Sequence, residues 1–142
     1  NGVGAIETIV TAVERAQARC PRKDARHLII HCQMATDEHV RRMKEAGILP
    51  SFYGLHVWNW GDRHRDIFLG PDRAARLDPA GSAVREGLPF SLHADTPVLP
   101  QMTMLSIHTA VNRETKGGAV LGPDQRISTL EAPSSPARSR TS

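Results

Sequence analysis

Three short apolar runs set the architecture open to this chain. They are Leu28-Ile29-Ile30, Ile48–Tyr53 and residues 90–93, and stretches of helical periodicity lie around and between them. Before the first run, Ile6, Ile9, Val10, Val13 and Ala16 recur at helical spacing while Glu7, Glu14, Arg15 and Arg19 fall on other faces, which predicts an amphipathic helix over residues 3–19 that Pro21 ends. After it, Thr36 is placed to cap a helix with Asp37 and Glu38 in its first turn, Val40, Met43 and Ala46 on its apolar side and Gly47 as a left-handed C-cap. A long loop is expected after Tyr53, then a short helix over residues 72–76, a second over 79–86 stopped by Gly87, and a last one over 102–112. Strands alternating with helices across short loops mean a parallel sheet with crossover helices. The fold class is therefore α/β.

Length decides how much of such a fold is present. The chain has 142 residues, which suits one domain. An eight-stranded α/β barrel takes roughly 250 residues, so three strands make either a small open sheet or the C-terminal part of something larger. Near the end, Ser128 and Glu131 stand in capping-box spacing and announce a helix, yet Pro133 falls where it breaks the first intrahelical bonds. Residues 133–142 are rich in Ser, Pro and Arg and are expected to be a disordered, divergent tail, cut or replaced after about Ala132 by a frameshift or a fusion scar. The start, Asn1-Gly2 without Met, likewise reads as a cut or processed end.

Composition excludes several function classes. The net charge is +3, but Arg138 and Arg140 lie in the tail and no basic stripe interleaves with aromatics, which argues against nucleic acid. Apolar runs are too short for a membrane span, and no secretory segment is visible. The two cysteines, Cys20 and Cys32, are not in CxxC spacing; a reduced, cytoplasmic compartment is the expectation.

Chemistry-bearing side chains collect at one edge of the expected sheet. His31 directly follows the first apolar run, His56 follows the second by a few residues, and His93 and Asp95 end the third within the stretch Pro89-Phe90-Ser91-Leu92-His93-Ala94-Asp95-Thr96-Pro97. The C-terminal edge of parallel strands is where α/β proteins bind ligands. Histidine and aspartate suit zinc and related divalent ions, and a carboxylate beside such an ion can take a proton from water. Spacing by itself leaves His31 open between metal ligand and core histidine, and Asp95 between site residue and turn carboxylate. The chain has seven histidines; His27, His39 and His64 sit among charges and read as surface, and His108 reads as packing or surface within a helix. Tyr53, Trp58 and Trp60 form an aromatic cluster that reads either as a packing lid or as a substrate-facing wall.

In order and spacing, these motifs resemble the amidohydrolase superfamily, specifically the C-terminal half of its family 3. The anchors are Asn1-Gly2, Ile30-His31-Cys32-Gln33, His56 with Trp60-Gly61-Asp62, Leu69-Gly70-Pro71-Asp72-Arg73-Ala74-Ala75, His93-Ala94-Asp95-Thr96-Pro97-Val98, Ala110-Val111-Asn112-Arg113 and Leu121-Gly122-Pro123-Asp124-Gln125-Arg126-Ile127. The resemblance implies a (β/α)8 TIM barrel of the metal-dependent hydrolase type, of which residues 1–132 would be about strands 6–8 with their helices. It implies one or two divalent metals, commonly zinc, and hydrolysis of amide-like, non-peptide carbon–nitrogen bonds in small molecules. His31 would match the metal ligand ending the sixth strand, and Asp95 the metal-binding catalytic aspartate after the eighth. His93, His56, Trp58 and Arg113 are supporting or substrate-contact candidates. Ile30 stands where Glu is usual and Val3 where Asp is, and the remaining ligands of the family's shell fall before Asn1. With two ligands of its own, the isolated chain is expected to bind metal weakly and turn over little. The alternatives are a non-catalytic half-barrel that associates with a missing N-terminal half or with itself, and an independent α/β module that binds a small molecule.

Overall fold

The computed structural model describes residues 1–132. The tail expected over residues 133–142 lies outside the described residues. Helix α1 (Val3–Arg19) leads into strand β1 (His27–His31), helix α2 (Asp37–Ala46) and strand β2 (Ile48–Tyr53). Helix α3 (His56–Arg63) runs straight into a π-helical turn, His64–Phe68. Short helices α4 (Pro71–Ala74) and α5 (Ala80–Glu86) precede strand β3 (Ser91–His93), helix α6 (Thr103–Asn112) and a 3₁₀ turn, Pro123–Gln125.

The strands form one parallel sheet in the order β1-β2-β3. His27 pairs with Ile48 and His31 with Phe52; Ser51 pairs with Ser91 and Tyr53 with His93. The chain is thus a mixed α/β domain, and its described residues hold three strands rather than a closed barrel. Side chains alternate across the sheet. Ile29, Phe52 and Phe90 are buried in one core with Ile6 and Val10 of α1 and Val40 and Met43 of α2. On edge strand β1, Leu28 and Ile30 are 57% and 56% exposed. Leu28 lines a groove of about 250 Å³ with Arg26, Leu49, Phe90 and Ser91.

Local chemistry explains the α1–α2 pair. Thr36 caps α2 by accepting from the His39 amide at 3.2 Å, and His39 Nδ1 accepts in return from the Thr36 amide at 3.2 Å. The motif is a capping box with His in the place of Glu. Gly47 closes the helix at φ +71°. His39, expected at the surface among charges, is instead 4% exposed. Its Nε2 meets Glu7 Oε2 of α1 at 2.9 Å, while Arg42 forks across Glu7 and Glu14 at 2.7 Å each. Charges that looked solvated in sequence are spent across a helix pair.

Two other expectations change. The long loop after Tyr53 is helical through Phe68: α3 opens with no side-chain cap and carries tryptophans and Gly61, residues of modest or poor helix propensity. It is fixed from outside, since Asp62 accepts from Thr115 Oγ1 at 2.8 Å and the Gly117 amide at 3.0 Å. His64, expected on the surface, is half-buried and donates from Nδ1 to the Trp60 carbonyl at 3.0 Å. At the end, Glu131 accepts from the Ser128 amide at 2.7 Å, but the described residues there form a single turn over 129–132 rather than a helix. Among the described residues, no helix is long and apolar enough to cross a membrane.

Candidate functional site

The C-terminal edge of the sheet is where β1 and β3 deliver their last side chains. His31, at the end of β1, has φ +67° and Cys32 has φ +47°. Two successive non-glycine residues in the left-handed region are costly and persist where surrounding structure holds them. Cys32 goes fully into the core, where burial pushes its thiol up to about 12; it is an inert packing group. The His31 ring lies over the β2–β3 pair, with centroids 6.0 Å from Tyr53 and 5.1 Å from His93 at interplanar angles of 29° and 19°.

Hydrogen bonds behind both histidines set which nitrogen is free. His31 Nδ1 donates to Asn1 Oδ1 at 2.9 Å, so Nε2 is the ring nitrogen that faces Asp95, 3.4 Å from its Oδ2. His93 Nδ1 stands 3.1 Å from Ser51 Oγ, which also accepts from Ser91 Oγ at 2.8 Å. With Nδ1 donating there, His93 Nε2 offers its lone pair, and that atom is buried with no hydrogen-bond partner. Burial first, then the nearby His31 charge, lower the His93 pKa and favour the neutral ring. Asp95 sits just past β3 with 40% of its side chain exposed. One donor atom from each of His31, His93 and Asp95 lies within 4.8 Å of the others.

This set fits a divalent cation. Three protein donors with room for a further ligand is the arrangement of catalytic zinc sites, and histidines backed by second hydrogen bonds are their usual form. The buried, unpaired His93 Nε2 is the observation that a cation would explain. The structure thus brings His93 beside His31 and Asp95 as a third donor, where the sequence reading gave it a supporting place.

The remaining candidates divide. His56, the first residue of α3, is 6% exposed and borders the group edge to face, 5.4 Å from the His31 ring and 4.7 Å from Tyr53. Its Nδ1 donates to Asp78 Oδ1 at 2.9 Å. Asp78 escaped the sequence reading, and its signal was weak: a carboxylate before Pro79 reads as an ordinary turn. Trp60 packs 5.9 Å from Tyr53 and 6.2 Å from His56, so it walls the site. Trp58 instead carries Lys116 over its ring at 5.6 Å, and its carbonyl accepts from the Lys116 amide at 2.8 Å. Arg113, a substrate-contact candidate in sequence, is 2% exposed and donates to the carbonyls of Leu121, Asp78 and Leu77 at 2.9, 3.2 and 2.7 Å. Burial lowers its pKa to about 10. Its work is to tie the loops around Asp78 and Leu121 together.

Comparisons with known proteins bear on this geometry. A family model described as the amidohydrolase family matches residues 1–135. The crystal structure of an uncharacterized metal-dependent hydrolase from Pyrococcus furiosus is similar over 90% of this chain, with TM-score 0.68 and 21% identity. At that identity the likeness is one of fold, and the chain spans 24% of that protein's length. No curated protein matches the chain.

Proposed function

Because the chain belongs to the amidohydrolase family, we propose that it is part of a metal-dependent hydrolase acting on amide-like, non-peptide carbon–nitrogen bonds of small molecules. The observation that carries this reading is the His31, His93 and Asp95 group at the ends of neighbouring parallel strands, with one buried donor otherwise unpaired. His31, His93 and Asp95 hold one divalent cation, and zinc suits their donor set. When bound, such a cation acts as a Lewis acid that polarises a carbonyl and acidifies water. Asn1 and Ser51 keep the two rings turned with Nε2 inward. Asp95 has a second carboxylate oxygen and partial exposure, so it can accept the proton of the attacking water and return it to the leaving nitrogen. The Tyr53 and Trp60 rings, 5.9 Å apart, border the site on one side.

In this account the three strands are part of a (β/α)8 barrel. The exposed Leu28 and Ile30 on edge strand β1 favour a further reading, in which additional β/α units cover this side, in the same polypeptide or in an associated chain. The test is a zinc titration of the chain followed by assay on a panel of simple amides, alone and with Asp95→Asn. One zinc per chain, with whatever turnover the chain shows lowered about 10²–10⁴-fold by Asp95→Asn, supports the reading. Zinc-independent turnover, or turnover that Asp95→Asn leaves intact, overturns it.

A further inference from the structure

Asp78 is an unusual residue for its position. It lies between α4 and α5 at φ +47°, a conformation that glycine holds without strain. Its side chain is 8% exposed, one carboxylate oxygen faces His56, and the other is buried without a partner. A turn alone gains nothing from a buried carboxylate, whose desolvation is costly. The backbone that carries it is held from three sides: the Asp78 amide donates to the Gln33 carbonyl at 2.9 Å, and Arg113 donates to the Asp78 and Leu77 carbonyls. What this rigid mount holds in place is the imidazole of His56.

The direction of that bond has a chemical consequence. An ionised carboxylate only accepts, so the hydrogen of a neutral His56 must sit on Nδ1. Nε2 then carries a lone pair, and among the described residues it has no hydrogen-bond partner. The ring borders His31 and Tyr53 at the edge of the donor group. We infer that Asp78 is a positioning residue: it locks His56 in the Nδ1–H form, so that Nε2 is an acceptor beside the His31, His93 and Asp95 group, able to receive an N–H or O–H of a molecule bound there. The inference rests on the hydrolase reading for its purpose and on none of it for its geometry. His56 is not a member of the three-residue donor group and is assigned no metal.

The experiment is ¹⁵N imidazole NMR of the chain labelled at histidine, without added metal, at about pH 8.5 where ordinary imidazoles are neutral. His56→Gln identifies the resonance. The expected result is His56 in the Nδ1–H form in the unaltered chain. Asp78→Gly, which keeps the left-handed backbone, should move it to the Nε2–H form that free neutral imidazole prefers. An Nε2–H form in the unaltered chain, or an unchanged form in a folded Asp78→Gly variant, overturns the inference. The first of these readings needs only the His56→Gln assignment, so misfolding of Asp78→Gly leaves the inference open to refutation. A zinc titration of Asp78→Gly separates the two claims. Affinity within about twofold of the parent is expected, and a loss of about 10–100-fold would make His56 a metal ligand and overturn its assignment as a free acceptor. Failure of the unaltered chain to bind zinc counts against the hydrolase reading and leaves the tautomer result standing.

Discussion

Replacing His93 by Leu separates a metal donor from a packing histidine. In the metal-free chain, His93 Nε2 is buried and unpaired, which costs about 1–3 kcal/mol of folding stability. Its Nδ1 has one hydrogen bond, to Ser51 Oγ at 3.1 Å, worth about 0.5–1.5 kcal/mol. Ser51 keeps its bond from Ser91 in the variant, so little is left stranded. The two terms oppose each other, so His93→Leu should leave metal-free stability between about 0.5 kcal/mol lower and about 2.5 kcal/mol higher, despite altering a half-buried strand residue. With zinc the outcome diverges. A ligand present at 100 times its dissociation constant stabilises the folded state by about 2.7 kcal/mol, which for a chain of this size raises Tm by roughly 5–11 °C. The unaltered chain should show that shift and the variant should show none. The assay is thermal unfolding followed by circular dichroism, with zinc and with chelator. A variant stabilised by zinc as strongly as the parent would refute the reasoning. So would metal-free destabilisation beyond about 3 kcal/mol, the range in which large packing losses fall.

Three further outcomes test the fold that carries the site. Arg42, then Thr11 and His39, hold the Glu7 carboxyl near 2, well below its ordinary 4.5; a depressed folded-state pKa stabilises above the unfolded value and is lost as pH falls. Stability should therefore decline between about pH 4.5 and 2, and urea unfolding of Glu7→Gln should show a shallower decline across that window. Gly122 has φ +63°, and an added Cβ would lie 1.8 Å from the Ala75 carbonyl oxygen; Gly122→Ala should cost more than about 2 kcal/mol in a denaturant titration. Arg113→Met removes three donors to buried carbonyls and should destabilise the chain by more than about 3 kcal/mol, measured by the same titration.

The readable part of this protein is the part written locally. Alternation of apolar runs with amphipathic stretches is a pattern of neighbours in sequence, and it yields three parallel strands with the helices α1, α2, α5 and α6 around them. Gly47 and Gly87 cap their helices in the left-handed conformation that their placement announced. His31 and Asp95 stand out because one ends a strand and the other follows one, where side chains of an α/β sheet converge.

The rest depends on partners far along the chain. His39 looks solvated beside Asp37 and Glu38, and only its contact with Glu7, 32 residues away, buries it. Arg113 reads as a substrate-contact candidate until the carbonyls of Leu77 and Asp78 close over it. Asp78 is joined to His56 across 22 residues, and no local spacing announces the pair. His93 was within reach of sequence reasoning, because it closes β3 only two positions before Asp95 at the same sheet edge. The α3 helix was not, because Trp58, Trp60 and Gly61 argue locally for a loop, and the Asp62 contacts that hold the helix come from Thr115 and Gly117.

His31, His93 and Asp95 should together hold one metal ion. Cobalt titration of the metal-free chain, followed by its visible absorption, reads that centre directly because band intensity reports coordination by few ligands. One equivalent of cobalt should bind with intense bands of low coordination number, and His31→Ala, His93→Leu and Asp95→Asn should each abolish them. Binding that survives all three substitutions, or no binding by the unaltered chain, would rule out a metal centre at these residues.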